Sequence, residues 1–185
     1  MLGESLGREG IFTDTTPTFP NTLAMKIYLT GDHAGFRLKK ALAEHLPILG
    51  HDIVDMGPAE LDPEDDYPDY VNPFAQVLAN EPDALGLIFA GTGEGEAMAA
   101  NRVKGVRAAV FYGKMSAVDA LDAEGGHSQD GFDTVRLARR HNNANILSIG
   151  ARFVSPEDAD AAIRVFLDTP FDSSSARHER RLNKF

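Results

Sequence analysis

The stretch ALGLIFAGTGEGEAMAANR, Ala84 to Arg102, decides the architecture. Its first seven residues are nearly all apolar and lack the alternation of a half-exposed strand, so they read as a strand covered on both faces. Three glycines follow within five residues, Gly91, Gly93 and Gly95, as where a backbone turns sharply or approaches something closely. A helix is expected to open between Glu94 and Glu96 and to run to Arg102. A doubly covered strand that turns straight into a helix is the unit from which parallel sheets are built.

The same unit recurs on both sides. Upstream, Lys26 to Thr30 is a short β-rich run, and Phe36, Leu38, Ala41, Leu42, His45 and Leu46 then repeat at three and four as on a helix that Gly50 ends. Asp52 to Met56 is a second strand, Gly57 to Tyr70 a loop dense in Pro and Asp, and Val71 to Leu78 a helix. Downstream, Val106 to Phe111 and Asn145 to Gly150 are strands separated by a long polar stretch, Gly113 to Asp133, and a helix over Thr134 to His141. Ser155-Pro156-Glu157-Asp158 combines a capping serine, a first-position proline and acids in the first turn, so a helix starts there and runs to Leu167. Ala176 to Phe185 is a short basic helix or arm. The alternation predicts five parallel strands covered by helices through right-handed crossovers, in one domain over residues 25–185. Residues 1–24, rich in Thr, Pro and Gly, read as an extension, with Met25 as an alternative start.

Bulk properties narrow the function. A chain of 185 residues is long enough for one domain with a real core. Its net charge of −10 argues against a nucleic-acid partner, which needs a basic face. There are no cysteines, so disulfides, thiolate metal sites and cysteine nucleophiles are excluded. No apolar run approaches the ~18 residues of a membrane span, and the first residues lack the apolar core of a secretory signal. A cytoplasmic protein without a membrane partner is expected.

Ligands in such sheets bind beyond the carboxyl ends of the strands, so the loops there carry the candidates. The glycine loop has no P-loop lysine and does not follow the first strand, as a dinucleotide fingerprint would. Either it is a tight turn with two solvated glutamates, Glu94 and Glu96, or it pairs a carboxylate base with backbone N–H groups that hold an oxyanion, as an enolisation site requires. Asp32 and His33 end the first strand; Asp32 could equally cap the helix that follows. His141 and Asn142 sit at a helix C-terminus, where the dipole favours a protonated imidazole. Arg177 and Arg181 are four apart and share a face if helical, either as a phosphate clamp or as a solvated basic tail. The acids and His127 between Asp119 and Asp133 match no compact metal-ligand spacing and read as a solvated loop.

Taken together, GDHAGFRLKKAL, DYPDY, GTGEGEAMAANRVKGVRAA, RRHNNANILSIGAR and ARHERR resemble, in order and spacing, the ribose-5-phosphate isomerase B family, which includes the galactose-6-phosphate isomerase subunits. The resemblance runs from Met25 to Phe185, apart from the stretch around Tyr112 to Asp133, which is longer than usual and leaves ribose 5-phosphate, allose 6-phosphate, galactose 6-phosphate and tetrose phosphates as alternative substrates. It implies a Rossmann-like three-layer α/β/α sandwich and a homodimer, sometimes paired into a tetramer, with active sites shared between subunits. It implies no metal and no organic cofactor, and aldose–ketose interconversion of a phosphorylated sugar through a cis-enediolate. Many members carry a cysteine base where this chain has Ala90; a second branch has a glutamate matching Glu96, which is therefore the expected base. Thr92 and the N–H groups of Gly91, Gly93 and Gly95 are expected to face the enediolate, and Asp32 to polarise sugar hydroxyls. His141 matches the ring-opening histidine and Asn142 a substrate-binding amide, both serving the neighbouring subunit. His33, Arg177 and Arg181, with Arg152, are expected on the phosphate, and Tyr67 and Asn101 along the site. Glu94 is expected to raise the pKa of Glu96. A non-catalytic sugar-phosphate binder, or one subunit of a heteromeric isomerase, is the alternative.

Overall fold

Strand and helix alternate along the chain: β1 (Lys26–Gly31), α1 (Phe36–His45), β2 (Asp52–Asp55), α2 (Tyr67–Asn80), β3 (Leu85–Ala90), α3 (Glu94–Ala100), β4 (Ala108–Phe111), α4 (Asp133–Asn142), β5 (Ile146–Gly150), α5 (Pro156–Asp168) and α6 (Ala176–Leu182). The computed structural model describes residues 24–121, 125–128 and 130–184, so the expected extension lies almost wholly outside the described residues. All five strands are parallel, in the order β2-β1-β3-β5-β4. The chain builds leftward from β1 to β2 and rightward from β3, so the order reverses between β1 and β3. A crevice opens at such a switch point, beyond the carboxyl ends of the two strands.

The register explains the double cover. Side chains alternate along each strand, so Ile27, Leu29, Leu87, Phe89, Leu147 and Ile149 enter one core, shared with residues of α1, α4 and α5. Tyr28, Ile88, Ala90 and Ile146 enter the other, against Val71, Phe74, Ala75 and Leu78 of α2 and Ala100 of α3. Every residue of β3 is buried, as its unbroken apolar run predicts. Gly86 interrupts that run for a packing reason: a Cβ there would lie 2.7 Å from the Phe74 ring.

Two boundaries differ from expectation. Helix α2 begins at Tyr67, not at Val71, because Pro68 sits in the first turn, where a missing N–H costs nothing. Pro73 forgoes one helical bond inside α2, and burial of Val71, Phe74, Ala75 and Leu78 offsets the loss. Strand β4 begins at Ala108, two residues late, because Asn145 Oδ1 accepts the Arg107 N–H (2.7 Å) and takes that backbone out of the ladder. The serine cap of α5 is as expected: Ser155 Oγ accepts the Asp158 N–H at 3.1 Å.

Candidate active site

The crevice is built by close backbone approach. A Cβ at Gly31 or Gly35 would lie 2.1 or 1.9 Å from the Phe89 carbonyl oxygen, so only glycine lets the β1–α1 turn lie against β3. The Asp32 N–H donates to that same carbonyl (3.2 Å), which ties Asp32 to the end of β3. Asp32 also caps the turn, since its Oδ1 accepts the N–H groups of Ala34 (3.0 Å) and Gly35 (3.1 Å). The capping reading of this residue therefore holds, and both of these bonds use Oδ1.

The glycine loop is held from below. The carbonyls of Ala90 and Gly91 accept the N–H groups of Ala151 (2.7 Å) and Arg152 (3.2 Å). Gly93 takes a left-handed conformation (φ +79°), and its carbonyl accepts Ser148 Oγ (2.7 Å) and the Ala97 N–H. These bonds commit the loop carbonyls of Ala90, Gly91 and Gly93 to the body of the protein. Thr92 is exposed, and its Oγ accepts the Glu94 N–H at 3.3 Å. The Tyr67 hydroxyl lies 2.9 Å from where a Gly95 Cβ would be, so the tyrosine closes over the loop.

Glu96 is in the first turn of α3 and only 5% exposed. Burial pushes its carboxyl above the ordinary range; its own backbone N–H pulls the other way, the charge of Asp32 raises it further and His33 lowers it. The carboxylate opposing ionisation is thus Asp32, where the sequence pointed to Glu94. A buried carboxyl with a raised pKa is tuned toward proton transfer near neutrality.

His33 donates its Nδ1–H to Asp65 Oδ1 at 2.6 Å, and the same oxygen accepts the His33 backbone N–H at 3.2 Å. The bond to Asp65 is the first cause of a raised imidazole pKa; burial opposes it, Asp32 and Asp65 add attraction, and Arg152 repels. The exposed Arg152 guanidinium stands beside Gly91. Sequence reasoning missed Asp65. Donor atoms of Asp32, His33 and Asp65 lie within 4.8 Å of one another, the one such group among the described residues. Two ligands of a zinc ion stand roughly 3.3 Å apart, so the 2.6 Å contact of His33 and Asp65 is that of a shared proton.

The remaining candidates lie elsewhere. A helix between parallel strands returns the chain to their amino ends. Helix α4 ends at Asn142, three residues before β5 starts, so His141 and Asn142 are at the amino edge of the sheet. They are separated from Glu96 by the length of a five-residue strand, about 16 Å. Helix α6 packs there too: His178 stacks on His141 with ring centroids 4.3 Å apart, and Asp172 N–H donates to the Arg140 carbonyl (3.0 Å). Arg177 and Arg181 of α6 are both exposed. Asn101 is a clip at the start of β4, its amide pairing with both the N–H (2.7 Å) and the carbonyl (3.0 Å) of Ala108. A cavity of about 390 Å³ at this edge is lined by Asn101, Arg107, Ala109 and Asn142 among others. His127 is exposed, and its segment is tied down by Ser128 Oγ donating to Asp133 (2.6 Å) and Arg136 pairing with Asp130. No helix among the described residues is long and apolar enough to cross a membrane.

The family described as Ribose/Galactose Isomerase matches residues 27–124 and 129–185. A probable ribose-5-phosphate isomerase B of Mycoplasma pneumoniae is 39% identical over 158 residues, 85% of this chain and 91% of that protein. Ribose-5-phosphate isomerase B of Mycobacterium tuberculosis is 36% identical over 159 residues, 86% of each chain. Among solved structures, ribose-5-phosphate isomerase B of Mycoplasma genitalium with bound ribulose-5-phosphate superposes with a TM-score of 0.73 at 35% identity, over 88% of this chain and 95% of that one. The Thermotoga maritima enzyme gives 0.72 at 36% identity, over 86% and 96%.

Proposed function

This chain belongs to the ribose/galactose isomerase family and is an aldose–ketose isomerase of phosphorylated sugars; we propose that it interconverts ribose 5-phosphate and ribulose 5-phosphate with Glu96 as the base. The observation that carries this assignment is the burial of Glu96 just beyond β3 at the switch point, close enough to Asp32 and His33 to feel their charges.

The chemistry follows from those surroundings. Glu96 takes the proton from C2 of the open-chain aldose, and the electron pair of the broken C–H bond places negative charge on the enediolate oxygens, where the N–H groups of Gly91, Gly93 and Gly95 and the Thr92 hydroxyl stabilise it. The O2 proton passes to O1, and Glu96 then returns its proton to C1, which leaves the ketose carbonyl at C2. Asp32 Oδ2 accepts from a sugar hydroxyl and Tyr67 borders the reacting carbons. His33 and Arg152 supply positive charge for the phosphate. Binding a remote phosphate aligns C1 and C2 with the base without taking part in the chemistry.

Ring opening needs an acid–base group, and no histidine other than His33 is described at this rim. His141 is a strand's length away, so it serves the Glu96 of a second copy, with Asn142, Arg177 and Arg181 beside it. The exposure of Asn142 and of both arginines supports this reading. A two-fold pair buries the same patch on each chain and completes two sites at once.

The decisive experiment is solvent exchange. Incubated with ribose 5-phosphate in deuterated water, the protein incorporates deuterium at C2, and Glu96→Gln abolishes incorporation while calorimetry still detects binding. Exchange at the parent rate in the variant overturns the base; binding without exchange in the parent overturns the reading as an enzyme of this substrate.

A further inference from the structure

We propose that Asp65 is a positioning residue: it fixes the His33 ring with Nδ1 turned into the protein and leaves Nε2 as the edge that meets the substrate phosphate. The inference rests on the sugar-phosphate reading of the crevice.

The geometry separates the two partners by exposure. The Asp65 side chain is 2% exposed, whereas that of His33 is 33% exposed. One carboxylate oxygen accepts both the ring Nδ1–H and the backbone N–H of the same residue, which sets the ring and its backbone together. Ionised aspartate only accepts, so the proton on Nδ1 is specified and Nε2 alone remains for a ligand. Asp65 Oδ2 is buried without a hydrogen-bond partner among the described residues, so no other donor competes for this carboxylate's charge.

The loop bearing Asp65 is itself anchored. Lys39 Nζ, on a side chain 2% exposed, donates to both oxygens of Asp55 (2.7 and 2.6 Å) and to the Pro58 carbonyl (3.2 Å). Gly57 makes room for it, because a Cβ there would lie 2.9 Å from the ammonium. The charged groups facing His33 are Asp65 from the β2–α2 loop, Asp32 from the end of β1, Glu96 from α3 and Arg152 from beyond β5. Asp65 heads the interactions that keep the imidazolium charged as pH rises, and an imidazolium binds a phosphate dianion better than a neutral ring does.

Asp65→Asn keeps the shape and removes the charge. Long-range proton–nitrogen NMR of the His33 ring, which needs no turnover, should find the Nδ1–H form in the parent and a lower titration midpoint in the variant. KM for ribose 5-phosphate at pH 8 should rise about tenfold with kcat within threefold, and the difference should shrink at pH 6, where the variant ring carries more of its charge. Asp65→Glu should restore part of the loss. In a His33→Gln background, Asp65→Asn should change KM less than twofold. An unmoved His33 titration, an equal KM increase at both pH values, or a full effect in the His33→Gln background overturns the proposal. Should the NMR shift occur while the parent fails to turn over ribose 5-phosphate, the positioning role stands, and inorganic phosphate replaces the sugar in the binding arm; it is the substrate assignment that falls.

Discussion

The two ends of the sheet, to which the proposed function assigns two halves of one site, are built differently. At the carboxyl rim, Asp32, Glu96, His33 and Asp65 are shielded to varying degrees and interlocked, each side chain or its loop tied to a strand end or a neighbouring loop. At the amino edge, Asn142, Arg177 and Arg181 are exposed, on helices joined by the stacked imidazoles of His141 and His178. The rim is preorganised within one chain. The edge presents its polar groups outward. In the proposed shared site, this division puts the base where burial can tune it and leaves the cations to arrive with a second subunit.

The strongest way to break this contrast is at Glu96. Glu96→Gln should lower kcat by about 10³- to 10⁴-fold, as expected for loss of a general base, measured by ribulose formation. Mixing that variant with His141→Ala under subunit exchange should regain about a quarter of parent activity, since half the dimers are hybrids and each hybrid has one intact site. No recovery would place both halves in one chain. Next in size, Arg177→Ala should cost kcat/KM about 2–4 kcal/mol, as for a lost charge pair on the phosphate, and should be complemented by Glu96→Gln in the same way. Asn101→Ala sharpens the contrast from the structural side. Its amide is spent on Ala108, so urea unfolding should show a loss of about 1–2 kcal/mol while kcat/KM stays within threefold.

The smallest effect is a pH-dependent one. Burial raises the native pKa of Glu96 above its unfolded value, so the native state loses stability as pH climbs from the unfolded pKa through the native one. Gln carries no such penalty. Glu96→Gln should therefore melt a few degrees higher than the parent at pH 7, and the gap should close toward pH 4. An inactive variant that is also more stable is the signature of a carboxylate kept dry for its reaction. A gap of the same size at both pH values would count against burial as the cause.

Most of the layering was legible from residue patterns. The apolar run of β3, the capping serine of α5 and the alternation of strand and helix each have a local physical cause that a reader can see in one window of sequence. The start of α2 was not, because Pro68 and Pro73 mark a loop by composition and are tolerated only through buried neighbours far along the chain. Asp65 stayed hidden for a related reason. Five acids fall between Gly57 and Asp66, and which of them meets His33 is set by where α2 begins. Asn101 is expected along the site through the resemblance alone, yet its amide pairs with the backbone of β4, a pairing that only the tertiary fold reveals.

Lys39 turns the anchoring of one loop into something that can be timed. Its amine is sealed under the β2–α2 connection, so an acylating reagent reaches it only when that connection lifts. The rate at which this single amine is labelled is then a clock for excursions of the segment that sets His33. Slowing of that clock by a bound sugar phosphate would report how firmly an occupied crevice holds its own wall shut.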